Sequence, residues 1–124
     1  MQPGDTFLYQ HPHDHKHLMI VVCKTIDDPI NGETIHCVYL TTLYNTGDED
    51  KVCIFKAQDH PFITHDSYIE YSQLLHIRVD YLQNLIAIGS AKPKSPITSQ
   101  QLSNIKNGAL VSDSIRPSEL KYFT

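Results

Sequence analysis

Apolar residues come along this chain in short bursts, and the spacing within each burst predicts what it forms. The longest run, "LMIVVC" at 18–23, is apolar at odd and even positions alike and rich in β-branched residues. That pattern predicts a central strand buried on both faces. Thr6 to Tyr9 predicts a strand after the turn "PGD", and "TIHCVYLTTL" (34–43) alternates in part, as a strand with one buried face does. "KVCIFKA" (51–57) alternates well enough for another. "SYIEYSQLLHIRV" (67–79) fits a strand pair or a helix by periodicity; its aromatic and β-branched content favours strands. "DYLQNLIAIG" (80–89) fits a short helix or a strand ending at Gly89. The clearest helix covers about 98–107: Thr98 or Ser99 can cap it, Leu102 and Ile105 share a face, and Gly108 can end it. "RPSELKYF" (116–123) predicts one closing helical turn. "QHPHDHKH", "IDDPINGE", "YNTGDED", "QDHPF" and "SAKPKSP" read as loops.

Many short strands, one late helix and 124 residues predict a mainly β protein: a small, strongly bent β-barrel with a helix on its surface, in a single domain over 1–124. A chain of this length supports one core rather than two. Hydrophobic residues at 40% and charged ones at 19% exclude a disordered composition. The run 18–23 is too short to span a bilayer, and the N-terminus lacks the basic-then-apolar order of a signal peptide. Cys23, Cys37 and Cys53 are odd in number and have no C-x-x-C spacing, so reduced thiols and a cytoplasmic location are expected.

A net charge of -4 disfavours broad electrostatic binding to nucleic acid but allows a local groove. The compositional anomaly is histidine, with 8 residues. His11, His13, His15 and His17 alternate, which on an extended chain puts them on one side, where they could form a metal site or a solvated loop. His17 differs in abutting the buried strand. The densest chemistry lies in "QDHPFITHDSYIEY", Gln58 to Tyr71. General acid/base chemistry needs a base, an acid and donors for the charge that develops. His60 and His65 suit the proton transfers, with His17 across a groove. Ser67, Tyr68 and Tyr71 offer hydroxyls, and the tyrosine rings can stack on bases. The alternative is a structural turn: Pro61 fixes the bend, Phe62 and Ile63 plug the core, and Asp66 and Ser67 cap amides. No P-loop, G-x-G-x-x-G, G-x-S-x-G or H-E-x-x-H occurs.

The order of these pieces resembles the MazF/PemK-type toxins, the small RNA-cleaving members of toxin–antitoxin pairs. "GDTFLY" is similar to that family's Gly-Asp start of the first strand. "HLMIVV" sits where the family has Arg-Pro and an apolar strand. "VYLTT" resembles the strand ending in a catalytic Thr or Ser. "THDSYIEYSQLLHIRVDYL", "IAIGSAK" and "TSQQLSNIKNGAL" resemble the later segments. The resemblance implies an SH3-like barrel, a homodimer, and cofactor-free, metal-independent cleavage of single-stranded RNA by an endoribonuclease whose groove an antitoxin protein would occupy. It places the catalytic hydroxyl at Thr41 or Thr42. His17 stands where the family has its arginine, and a guanidinium forks onto phosphate as an imidazole does not. The expected catalytic set is therefore His17, Thr41, Thr42, His60, His65 and Ser67, with Asp66, Tyr68 and Tyr71 binding substrate. Two other readings stand beside it: a non-catalytic SH3-like module derived from such a toxin, and a His-rich metal-binding β-barrel.

Overall fold

The computed structural model describes residues 1–10, 16–28, 30 and 32–124. Among the described residues, seven strands and three helices follow in the order β1 (Thr6–Gln10), β2 (Lys16–Asp28), β3 (Gly32–Thr42), β4 (Ile54–Phe55), β5 (Ser67–Ile69), β6 (Leu75–Arg78), α1 (Val79–Ala87), β7 (Ala91–Lys94), α2 (Ser99–Val111) and a 3-10 helix, Pro117–Phe123. The protein is mainly β, with the late surface helix and closing helical turn that the pattern predicts. The strands form one antiparallel sheet in the order β4-β5-β3-β2-β1-β7, with β6 also on β3. The sheet is not closed into a ring.

β2 shows why the apolar run does not alternate. Leu18, Ile20 and Val22 join a core with Val38, Leu40, Ile69, Tyr71, Ile105 and Phe123, under α2 and the 3-10 helix. Met19 and Val21 face the other way, into a second core with Phe7, Ile35, Cys37, Tyr39 and Ile77. Leu82 and Leu85 of α1 cover that second core. A strand sandwiched between helices on both sides must be apolar at every position. The stretch 80–89 is thus helical, and its buried leucines are the reason.

Three local expectations are corrected. "SAKPKSP" is not all loop: Ala91–Lys94 form β7 on the open edge of β1, where Pro93 opposite Phe7 can lack an N–H without breaking a ladder. "KVCIFKA" contributes only Ile54–Phe55 to the sheet. Gly108 does not end α2, which runs on to Val111 and is capped at Ser112. Its role is close approach. A Cβ there would lie 3.3 Å from both Tyr71 Cζ and Cys53 Cβ and still closer to the Tyr71 hydroxyl. The start is as expected: the Thr98 hydroxyl accepts from Gln101 N, and the Gln101 side chain accepts from Thr98 N, closing a capping box.

Candidate functional site

β3 is the element that builds the site. Its first half pairs with β6, but from Leu40 onward it changes partner to β5, with Thr41 opposite Tyr68 and Thr42 opposite Ser67. Beside it, β2 begins at Lys16 and His17, opposite Gln10 and Tyr9 of β1. The loop before β5 folds over this end of the sheet. The result is an open groove of about 600 Å³ lined by Lys16, His17, Thr41, Thr42, Tyr44, Phe62, His65, Ser67 and Glu70 among others. Five of the six expected catalytic residues, His17, Thr41, Thr42, His65 and Ser67, share it.

The loop Lys56–Asp66 is held by its own polar groups. Lys56 N donates to Asp59 Oδ2 at 2.8 Å, Ile63 N to the His60 carbonyl at 2.9 Å and Gln58 N to the Ile63 carbonyl at 2.8 Å. Gln58 takes a positive φ of 72°, a conformation this closure imposes on a non-glycine residue. Asp66 turns back into the loop, accepting from Ala57 N at 2.9 Å beside Lys56 Nζ at 3.7 Å. It is a loop clasp and does not line the groove.

His60 is the expected catalytic residue the structure takes out of the groove. It is buried, its Nδ1 accepts from Phe62 N at 3.1 Å, and its Nε2 lies 2.5 Å from the Ser95 carbonyl. A carbonyl only accepts, so Nε2 carries the proton and the ring is a neutral tie between the loop and the segment after β7. Tyr71 is likewise corrected. It is fully buried in the main core, and its hydroxyl donates to the Ile105 carbonyl of α2 at 2.7 Å. Burial first, then the neighbouring Cys53, drives its hydroxyl pKa well above the usual tyrosine range. Tyr68 is buried too, its pKa raised by burial and then by Glu70 and Glu49, so it presents no ring for stacking.

Within the groove, His65 is the exposed imidazole. His17 is half-buried, tilted against Tyr39 with ring centroids 4.5 Å apart. Its Nδ1 lies 3.1 Å from the Leu40 carbonyl and must donate to it, while Nε2 is buried. His17 therefore pins β2 to the end of β3 beside Thr41. The Ser67 hydroxyl donates to the His65 carbonyl at 2.8 Å, which fixes the backbone that carries His65.

The aromatics available to a ligand are ones the sequence reading missed. Tyr44 is 75% exposed and Phe62 48% exposed, where Phe62 had been expected to plug the core. Ile63 alone does that. Lys94 Nζ sits 4.0 Å from the Phe62 ring centroid, so this aromatic carries a cation with it. Tyr44 precedes Asn45, whose φ is 58°. Each ring sits beside a turn-forming residue, Asn45 or Pro61, in an otherwise polar loop, which was the usable signal.

No group of three or more potential metal ligands converges among the described residues. His11, His13 and His15, the expected alternative metal loop, lie outside those residues. Among the described residues no helix is long and apolar enough to cross a membrane. All three cysteines are free, with burial pushing the Cys53 thiol up to about 11 and the Cys37 thiol higher still. No protein-family model, curated protein or solved structure matches this chain.

Proposed function

We propose that the groove binds single-stranded RNA and cleaves it without a metal. The observation that carries this reading is the convergence of His65, Thr41, Thr42, Ser67 and Lys16 on one open groove whose wall also carries Tyr44 and Phe62. Exposed rings stack on unpaired bases of any identity, and lysines beside them meet the backbone. The His65 imidazole takes the 2'-hydroxyl proton, that oxygen attacks the adjacent phosphorus, and the threonine hydroxyls with Lys16 bear the charge of the phosphorane. Water protonates the departing 5'-oxygen, leaving a 2',3'-cyclic phosphate. His17 acts by holding the strand end that carries Thr41. The same reading makes the protein a cytoplasmic homodimer restrained by an antitoxin whose segment competes for the groove.

Purified protein should cut a mixed single-stranded RNA pool in EDTA, and His65→Ala should lose the activity without a change in melting temperature. A second reading, a non-catalytic SH3-like binding module, is favoured by one observation: His17 turns Nδ1 to the Leu40 carbonyl and buries Nε2, so among the described residues lining the groove His65 alone offers an accessible imidazole. RNA binding that survives His65→Ala, together with no cleavage by the unaltered protein, would select that reading.

A further inference from the structure

A histidine pair lies where β3 pairs with β6, ahead of the end of β3 that lines the groove. His36 of β3 and His76 of β6 are cross-strand partners, and their Nδ1 atoms are 2.7 Å apart. Two nitrogens at that distance share one proton, one donating and the other accepting. The other nitrogen of His36, Nε2, meets the Thr25 hydroxyl of β2 at 2.9 Å. The sequence places Thr25 there through a bulge: the register of β2 against β3 shifts between Val21 and Cys23, which brings Cys23 opposite His36 and Thr25 opposite Thr34.

The C-terminal 3-10 helix is laid over this pair. Tyr122 stacks on His36 with centroids 4.1 Å apart and planes 26° from parallel, and tilts against His76 at 5.3 Å. Glu119 Oε2 lies 3.6 Å from His76 Nε2, and its other oxygen, Oε1, is buried without a hydrogen-bond partner. Lys121 stands 5.3 Å from the Tyr122 ring. The charged and titratable groups facing His36 are therefore His76 from β6, Asp27 and Cys23 from β2, and Glu119, Lys121 and Tyr122 from the helix.

We propose that the His36–His76 pair is a proton-counting latch for the C-terminal helix, closed with one proton between the two Nδ1 atoms and opened by a second. The closed pair carries a single positive charge: His76 donates from Nδ1 to His36 and turns its Nε2–H to the Glu119 carboxylate, while His36 donates from Nε2 to Thr25. A second proton puts two N–H groups nose to nose and two positive charges in contact. His36 is 4% exposed and cannot turn to water, whereas His76 is on the surface and can leave. When it leaves, Glu119 loses its partner and Tyr122 loses one of the two rings beneath it. Burial, then His76, holds the His36 pKa down to about 4, so the latch opens in acid.

Amide hydrogen exchange on the full chain, normalised to unprotected-peptide rates at each pH, tests this. Protection over 117–123 should fall at least about tenfold between pH 6.5 and pH 4, while β2 and β3 stay better protected than the helix at both. His76→Phe, at a surface position, should abolish this pH dependence because no second N–H can oppose His36. His36→Phe should do so as well, with Tyr122 still stacked. Acid release that persists in His76→Phe, or a helix that stays protected at pH 4 in the unaltered chain, would overturn the latch.

Discussion

Gly108→Ala sets two physical effects against each other. Position 108 is inside α2, where replacing glycine by alanine ordinarily stabilises a helix by about 1 kcal/mol. Here the new methyl would lie 3.3 Å from Tyr71 Cζ and Cys53 Cβ, and closer still to the Tyr71 hydroxyl. Tyr71 cannot step aside cheaply. It is fully buried, its ring lies 5.8 Å from that of Phe123, and its hydroxyl donates to the Ile105 carbonyl at 2.7 Å. Overpacking of this kind costs about 1–3 kcal/mol, and a displaced buried hydroxyl about 1–3 kcal/mol more. Packing should win by about 1–5 kcal/mol net, read as a lower urea midpoint at unchanged slope. Adding Tyr71→Phe removes the clashing oxygen. The double variant should therefore be less destabilised than the sum of its parts, with a coupling of about 1 kcal/mol or more. A Gly108→Ala protein that is more stable than the original would refute the close-approach argument.

Other substitutions read other parts of the account. Thr98→Ala opens the capping box of α2 and should cost about 1 kcal/mol in urea unfolding. His60→Ala severs the ties to Ser95 and Phe62 and leaves a buried gap, so it should cost about 2–4 kcal/mol; His60→Gln should leave cleavage per folded molecule unchanged, because the ring does not line the groove. The overall stability should also fall in acid. An unfolded His36 binds a proton below about pH 6.5, whereas the folded one resists until about 4. The unfolded state therefore binds more protons across that window. His36's contribution is complete above pH 6.5 and declines towards pH 4, by at most about 3 kcal/mol in a urea-midpoint titration. The decline should vanish in His36→Phe.

The sequence carried the central sheet well and its margins poorly. Leu18–Cys23 reads as a strand buried on both faces, because a short run of apolar, partly β-branched residues leaves no side for water. The capping box at Thr98 and Gln101 is local, so it too could be read. Pro93 hid β7, since an edge strand tolerates a proline that a central strand would not, and edge position is a property of the whole sheet. Gly108 looked like a helix end because its purpose lies in Tyr71, far away along the chain. The groove was read as two walls, His17 with Thr41 and the segment of His60, His65, Ser67 and Tyr68, since strand ends next to loops are where side chains can be aimed; of the second wall, His65 and Ser67 line the groove and His60 and Tyr68 are buried. Exposure within those walls was not legible. Tyr71 and Phe62 exchanged roles, one entering the core and the other the surface, because which ring a bent loop buries depends on the elements that later close over it. The contact of His36 with His76 needed the register of β3 against β6, which no single-strand pattern contains.

The most direct test of the groove is a cleavage assay with single-stranded RNA in excess EDTA, run on the unaltered protein and on His65→Ala, with melting temperatures measured on the same samples. The account predicts fragments ending in 2',3'-cyclic phosphate from the unaltered protein, a loss of about 100-fold or more in His65→Ala, and equal melting temperatures. Undiminished cleavage by His65→Ala, or intact RNA with the unaltered protein, would contradict it.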